Sequence, residues 1–192
     1  MPDTGPTDVT VLLAAFRDGD SGAFDRLVPL VYDDLRRIAR RQLSRHETDA
    51  VLDTTGLVHE SYLKLVHQRH GDFEGRAHFL NVAARAMRQV IIDHARRRLA
   101  DKRGGNLIRT ALRTGLLSTE EGRAEWLLAL DAALTRLGEK SPRLARVVEC
   151  RFFANLSEEE TADALQISLR TAQRDWMKAR AWLREELRST EI

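Results

Sequence analysis

The stretch that decides the fold reads LSEEETADALQISLRTAQRDWMKARAWLREEL and runs from Leu156 to Leu187. Ser157 and Glu160 form an S-x-x-E capping box, which predicts the start of a short helix that ends near Leu165. Apolar residues then recur at spacings of four, three, four and four, which predicts one buried face on a longer helix. These residues are Ala172, Trp176, Ala179, Leu183 and Leu187. Two helices joined by a short turn predict a helix-turn-helix.

The turn between the two helices is Gln166-Ile167-Ser168. We expect Ile167 to pack into the core and Ser168 to cap the second helix. Many turns of this kind carry glycine at the position of Gln166, because the position favours a left-handed backbone. The sequence therefore predicts modest backbone strain at Gln166.

The outward face of the second helix carries polar side chains that suit DNA. Arginine and glutamine can bond to base edges in the major groove, and lysine suits backbone phosphates. The expected contact residues are Ser168, Arg170, Thr171, Gln173, Arg174 and Lys178. The alternative is an ordinary helical hairpin with a charged exterior. The capping box, the small Ala162, the apolar turn residue and the second cap all fall in register for a helix-turn-helix, which favours the DNA-binding interpretation.

Helical spacing extends through almost the whole chain and predicts an all-α fold. The chain divides into a disordered tail over 1–8, a helical domain over 9–104, a flexible linker over 105–123 and a second helical domain over 124–192. The linker contains scattered glycines and no sustained apolar period. Within the first domain, Pro29 interrupts a periodic run and predicts a kink or a new helix start.

Composition points to a water-soluble protein. Hydrophobic residues make up 43% of the 192 residues, which is enough for real cores, and the 31% that are charged suit a hydrated surface. No window approaches the run of roughly 20 apolar residues that a membrane helix needs. Met1–Asp8 lacks the basic-then-apolar pattern of a signal peptide. We therefore expect a cytoplasmic protein without a membrane partner.

The net charge of +2 hides two basic segments. Residues 76–103 hold eight basic residues against two acidic ones, and residues 168–188 hold six against three. Solvated helix faces could explain one such segment. Two basic segments on opposite sides of a linker favour two contacts with a nucleic acid.

The sequence contains no complete motif for enzymatic catalysis. His59-Glu60 begins an H-E-x-x-H pattern, but Leu63 stands where the second histidine would be. The chain has no glycine-rich phosphate loop and no nucleophile elbow. The single cysteine, Cys150, has apolar neighbours that indicate a core thiol rather than a nucleophile. We expect no enzymatic activity, no cofactor and no metal site.

Motifs in both halves of the chain resemble the extracytoplasmic-function (ECF) group of bacterial sigma factors. Residues 156–180 are similar to the fourth conserved region of that family. Phe79, Ala83 and Met87-Arg88-Gln89 give F-x-x-x-A-x-x-x-M-R-Q, which is similar to the promoter-melting helix of the second region. Leu57-Val58-His59-Glu60 resembles the L-V-Q-E core of the helix that docks on the polymerase. The order and spacing of these motifs also match the family.

The resemblance implies binding to core RNA polymerase and to promoter DNA at two places. The second domain would read the upstream (−35) element as duplex. The first domain would hold the downstream (−10) element open and bind its single non-template strand. The residues implied for the downstream element are Phe73, Arg76, Arg85, Arg88, Gln89, Arg96 and Arg97. Val82, Arg85 and Ala86 stand near positions where primary sigma factors have aromatic residues, which implies weaker melting power.

The resemblance places polymerase contacts on Asp53, Leu57, Val58, His59 and Glu60. Many members carry D-A-E-D before the L-V-Q-E core, whereas this chain has Asp53-Thr54-Thr55-Gly56. A phosphate on Thr55, or as second choice on Thr54, would add about −1.5 to −2 charges at the helix N-terminus, where an anion is favoured. The alternative is that both threonines are helix caps. Since some groups of this family are linked to Ser/Thr kinases, the expected regulatory partner is such a kinase or an anti-sigma factor.

A different class of function also fits the second domain. A stand-alone helix-turn-helix repressor or activator would bind DNA without polymerase and would usually dimerise on a two-fold site. The sigma-factor interpretation instead predicts a monomer when the protein is free.

Overall fold

The computed structural model describes residues 6–46, 52–67, 73–103 and 119–188, and these residues form helices joined by short connections. The helices are α1 (Pro6–Arg17), α2 (Ser21–His46), α3 (Thr54–His67), α4 (Arg76–Arg103), α5 (Thr119–Lys140), α6 (Pro142–Val148), α7 (Glu158–Ala164) and α8 (Leu169–Arg188). A π-helical turn, Glu149–Phe153, continues directly from α6. The prediction of an all-α fold is confirmed.

Helices α1 to α4 form the first segment of the fold and surround a core of large apolar side chains. Helix α2 buries Leu27, Val31 and Leu35 along one stripe, as residues three to four apart on a helix should. Leu57 from α3 and Phe79 from α4 are fully buried in the same cluster. These contacts fix α3 and α4 side by side.

Helix α2 continues through Pro29, where the sequence predicted a kink or a new start. Proline removes one backbone N–H from the helical ladder, and its ring here lies on the exposed face. The apolar stripe on the other face extends on both sides of Pro29 and keeps the two parts of the helix on one core.

The observed helix boundaries can be compared with the predicted tail and the predicted linker. Helix α1 begins at Pro6 and so takes in the last three residues of the predicted tail 1–8, while residues 1–5 lie outside the described part. Helix α4 ends at Arg103 and α5 begins at Thr119. Most of the predicted linker 105–123 therefore also lies outside the described part of the chain. The division into two domains stays a prediction.

The second segment consists of α5, α6, the π-helical turn, α7 and α8. Helices α5, α6 and α8 pack on one another, and α7 packs on α8. Leu130, Leu134 and Leu137 of α5 are buried in the core. The π-helical turn closes with a hydrogen bond of 2.9 Å from the Ala154 N–H to the Glu149 carbonyl. This turn widens the end of α6 and places Phe153 toward the first segment, where Gln42 Nε2 donates to the Phe153 carbonyl at 3.4 Å.

The two segments share one continuous cluster of buried residues. Helix α4 contacts α5, the π-helical turn and α7 across this boundary. Within the described ranges, every helix is too short or too polar to cross a membrane.

Candidate nucleic-acid interface

The first helix of the helix-turn-helix, α7, starts at a complete capping box. The Glu160 N–H donates to Ser157 Oγ at 3.1 Å, and the Ser157 N–H donates to Glu160 Oε2 at 2.7 Å. Both bonds satisfy backbone donors that the first turn of a helix leaves free. Ala162 is buried, as its small side chain predicted. The sequence-based start of this helix is confirmed.

The turn has the left-handed backbone expected at Gln166, with φ of +51°. The Gln166 side chain donates from Nε2 to the Asp163 carbonyl at 3.0 Å, and the Ile167 N–H donates to the Ala162 carbonyl at 2.9 Å. Ile167 itself is only partly buried, so it covers the edge of the core rather than filling its centre. The predicted strain is therefore present, and local hydrogen bonds hold the turn in place.

The second helix, α8, begins at Leu169 and is capped by Ser168 as predicted. Ser168 Oγ accepts a hydrogen bond from the Thr171 N–H at 3.2 Å, and it also lies 2.9 Å from Thr171 Oγ1. Both hydroxyls therefore take part in the cap. Any contact of these two residues with DNA would be made from the N-terminus of α8, where the helix dipole favours a phosphate.

Helix α8 has one buried face and one charged face. Ala172 and Ala179 are buried, and Trp176 between them is partly buried. The exposed side carries Arg170, Gln173, Arg174, Met177 and Lys178. Met177 is the most exposed large apolar side chain there, at 65%. An exposed cationic face with an apolar centre opposite the core suits the major groove of a duplex.

Two side chains of the charged face already have partners. Gln173 Nε2 donates to Glu158 Oε2 at 2.7 Å, and Arg174 Nε lies 3.4 Å from Asp175 Oδ1. Arg170 and Lys178 have no ion-pair partner among the described residues, and both are exposed. Arg170, Gln173, Arg174 and Lys178 lie on one surface of α8. Acidic neighbours orient two of these side chains, Gln173 and Arg174.

Sequence reasoning missed Asp175 and Arg143. The Asp175 carboxylate is buried within the apolar stripe of α8 and accepts a hydrogen bond of 2.6 Å from Arg143 Nε. A carboxylate three residues after Ala172 and four before Ala179 falls on the buried face, so the spacing could have indicated a buried charge that needs a partner. The identity of that partner depends on the packing of α6 against α8.

The basic residues of α4 lie in a different environment from those of α8. Arg85 lies 3.4 Å from Glu149 Oε1, while Arg88 and Arg96 lie 3.6 Å and 3.2 Å from the two carboxylate oxygens of Asp131. Arg97 is exposed and has no ion-pair partner in the described ranges. Three of the seven residues predicted to bind the downstream element are thus paired with carboxylates of the second segment.

Two further members of the downstream set have partners within the first segment. Arg76 forms an ion pair with Asp34, and Gln89 Nε2 donates to Asp93 Oδ1 at 2.8 Å. Partial burial raises the pKa of Asp93, but hydrogen bonds from Lys64 and Gln89 outweigh it and hold that pKa below the usual aspartate value. Asp93 is therefore an anion that orders this end of the basic surface.

Phe73, one of the residues predicted to bind the downstream element, is buried in the core formed by the first four helices. Its ring centroid lies 5.3 Å from that of Phe79 and 6.3 Å from that of Phe16. Aromatic pairs at this distance are stabilising contacts in a core. In this conformation Phe73 anchors the chain before α4 and has no exposed ring face for a base. Residues 68–72, which precede Phe73 in the sequence, lie outside the described part.

The α3 residues that were predicted to contact polymerase fall into a buried group and a more exposed group. Leu57 and Val58 are buried and hold the helix on the core, so their contribution to docking is structural in this conformation. His59 is exposed, and Glu60 lies 3.2 Å from His94 Nε2. The outer surface of α3 is thus formed by Thr55, His59 and their neighbours.

The helix cap of α3 is Asp53. Its Oδ1 accepts a hydrogen bond of 2.7 Å from the Gly56 N–H. A Cβ at Gly56 would lie 3.0 Å from the same oxygen, so glycine allows this close approach. Thr54 and Thr55 follow in the first turn, and Thr55 is exposed. The cap hydrogen bond is made by the aspartate rather than by either threonine.

Among the described residues, no group of three or more histidine, cysteine, aspartate or glutamate side chains is placed to hold a metal ion. Comparison with curated proteins gave no match. The family model described as ECF sigma factor matches residues 6–189, nearly the whole chain. Together with the helix-turn-helix and the basic helix α4, this match shows that the chain belongs to the ECF sigma factor family.

Proposed function

We propose that this sigma factor docks on core RNA polymerase through the outer surface of α3 and directs it to promoters with two DNA-binding surfaces. Helix α8 would read the upstream element as duplex. Helix α4, through Arg85, Arg88, Arg96 and Arg97, would bind the backbone of the opened downstream strand. The single observation that supports this proposal best is the charged face of α8, which lies opposite its buried stripe.

The chemistry of the α8 face divides into two roles. Arg174 and Gln173 can form paired hydrogen bonds with base edges in the major groove, which confers sequence preference. Arg170 and Lys178 supply positive charge for phosphates, which adds affinity for any sequence. The buried stripe holds all four side chains on a rigid helix, so the surface is ready before DNA arrives.

Run-off transcription with purified core polymerase tests the proposal. We expect specific transcripts from a set of promoter fragments only when the full-length chain is added. The mass of the native protein and DNA footprinting distinguish the sigma factor from the alternative, a stand-alone helix-turn-helix regulator. That regulator would be dimeric and would protect DNA without polymerase, whereas the proposed sigma factor is a monomer that protects promoters only with core enzyme. Protection without polymerase, together with no transcript, would overturn the proposal.

We further propose that phosphorylation of Thr55 strengthens polymerase binding. The Asp53 side chain makes the cap hydrogen bond, and the exposed Thr55 lies in the first turn, where the helix dipole favours an anion. The exposed His59 lies one turn further along the same face. A phosphate at Thr55 would thus create a negative surface beside the docking residues.

Binding of Thr55→Glu and Thr55→Ala to core polymerase, measured with a Ser/Thr kinase present, tests this switch. We expect Thr55→Glu to bind more tightly than Thr55→Ala, since only the first keeps a negative charge at the helix start. Thr54→Ala is the matched control, because it removes the neighbouring hydroxyl and leaves Thr55 intact. Equal binding by the two Thr55 variants would reject the switch and leave the sigma-factor proposal standing.

A further inference from the structure

Met177 lies at the centre of the charged face of α8. Its side chain is 65% exposed, the largest value among the exposed large apolar residues that the structure describes. It follows Arg174 by three positions and Gln173 by four, and residues at these spacings are neighbours on a helix surface. Arg170 lies seven positions earlier, two turns along the same face. The apolar side chain is therefore placed among the residues to which the proposed function assigns contacts with DNA.

The packing of α8 on the core does not involve Met177. Trp176, one position earlier, is partly buried, and Ala179, two positions later, is buried, so Met177 lies on the side of the helix away from the core. Single exposed apolar residues are common on protein surfaces and need no function. The neighbours of Met177 distinguish it, because the cations around it would attract a duplex and bring base edges to the methionine.

The base edges in the major groove differ in what they offer to such a face. Arginine pairs with the two acceptors of guanine, and glutamine pairs with the acceptor and donor of adenine. Thymine offers one acceptor and a C5 methyl group, which only an apolar contact can recognise. Cytosine offers an amino donor, which would lose its hydrogen bond to water against an apolar side chain. An exposed apolar residue on this face therefore favours thymine.

Methionine is well suited to this contact. Its side chain is unbranched, has three rotatable bonds and ends in a polarizable thioether, so it can adapt to a methyl group at the edge of a base. Long side chains on a helix lean toward its N-terminus, which for Met177 is the turn that carries Gln173 and Arg174. The thioether would thus lie beside the bases that these two side chains contact.

We propose that Met177 is a specificity-determining residue that recognises thymine in the upstream element by contact with its C5 methyl group. This inference rests on the proposed function and adds the identity of one base to it. Gln173 and Arg174 would bond to bases next to this thymine. Lys178, which is exposed beside Met177, would bind a phosphate and contribute no base preference.

Substitution of thymine by deoxyuridine tests the contact, because it removes only the methyl group. Core polymerase with the full-length chain first selects upstream duplexes from a randomised library, and each thymine of the selected duplex is then replaced in turn. We expect one replacement to weaken binding about fourfold, or about 0.8 kcal/mol at about 1.4 kcal/mol per tenfold, as for one buried methyl group. With Met177→Ala, the same replacement should change binding by less than about 1.5-fold, because the apolar partner is gone.

Three further variants serve as controls. Met177→Leu keeps an apolar side chain and should retain at least about a twofold effect of deoxyuridine. Met177→Gln has a similar length but a polar end, and it should lose the effect. Lys178→Ala should weaken binding to every duplex and keep the fourfold effect of about the same size. Because Met177 is exposed, circular dichroism should show the same fold for all its variants.

Two results would overturn thymine recognition by Met177. The first is an equal effect of deoxyuridine on the unmodified protein and on Met177→Ala, and the second is a selected duplex in which no thymine is sensitive to loss of its methyl group. If Met177→Ala weakens binding to core polymerase without DNA and leaves the deoxyuridine effects unchanged, Met177 contacts protein instead, and thymine recognition is rejected.

Run-off transcription keeps the two proposals apart. If the unmodified chain directs promoter-specific transcription but the deoxyuridine effect does not depend on Met177, the proposed function stands and thymine recognition is rejected. If the chain selects a duplex, with or without core polymerase, but directs no transcription, the proposed function is rejected and the deoxyuridine series still decides the role of Met177. If the chain selects no duplex, both proposals are rejected.

Discussion

Asp175 and Arg143 form a charge pair in which the carboxylate is buried and the guanidinium is half exposed. Arg143 Nε donates to Asp175 Oδ2 at 2.6 Å, and the side-chain exposures are 55% for Arg143 and 1% for Asp175. The pair joins the start of α6 to the buried face of α8. It therefore fixes the orientation of the helix that carries the proposed base-reading residues.

Loss of Arg143 should destabilise the helix-turn-helix. In Arg143→Ala the buried carboxylate retains only the 3.4 Å contact with Arg174, and we expect the free energy of unfolding to fall by about 2 kcal/mol. Urea denaturation measures the change. Arg146→Ala is the matched control, since Arg146 is exposed on the same helix, and it should change stability by less than about 0.5 kcal/mol. Equal effects of the two variants would contradict a structural role for the pair.

The left-handed backbone at Gln166 gives a second prediction. Alanine there keeps the strain of a positive φ and loses the side-chain bond to Asp163, whereas glycine loses the bond but relieves the strain. We expect Gln166→Gly to be more stable than Gln166→Ala by about 1 kcal/mol, the usual cost of a left-handed residue with a Cβ. Thermal denaturation of the two variants provides the comparison. An alanine variant as stable as the glycine variant would show that the turn relaxes.

Two substitutions on α8 should have different effects on DNA binding. Arg174→Ala should weaken binding to the upstream element more than binding to unrelated duplex, because arginine can read base edges. Lys178→Ala should weaken binding to all sequences alike and reduce the slope of log K against log salt by about one. Salt titrations with both duplexes measure the two effects. If Arg174→Ala leaves sequence preference unchanged, a different face of α8 enters the groove.

Cys150 should be unreactive in the folded protein. Burial, with a smaller effect from the neighbouring Glu149, raises the pKa of its thiol to about 12. The reactive species is the thiolate, so at pH 8 the native protein should react very slowly with a thiol reagent such as DTNB. Urea-unfolded protein should react at the rate of a free cysteine. Rapid stoichiometric labelling of the native protein would show that the boundary around the π-helical turn opens frequently.

Features that depend on neighbouring residues could be predicted from the sequence. The capping box at Ser157, the left-handed turn at Gln166 and the buried stripe through Ala172 and Ala179 all follow from interactions within about one helical turn. The buried Cys150 was also predicted, because its apolar neighbours lie on the same helical stretch. The structure confirms each of these features.

At the start of α3, the local sequence pattern does not decide which residue caps the helix. Asp53, Thr54 and Thr55 are all suitable cap residues, and their order alone does not select one of them. The backbone of the folded helix does, because the Gly56 N–H reaches only the Asp53 carboxylate. That outcome leaves Thr55 exposed in the first turn, which the phosphorylation proposal requires.

The amino-acid sequence alone determined the helical fold, the helix-turn-helix and the face of α8 that carries the cations, because helix spacing and caps are short-range properties. Only the tertiary structure decided which charges meet. Arg96 and Asp131 are 35 residues apart in the chain, and their contact depends on how α5 packs against α4. Phe73 is buried for the same reason, since its neighbours come from α1 and α4. Helical periodicity identifies the polar face of each helix, but it carries no information on which other helix covers that face.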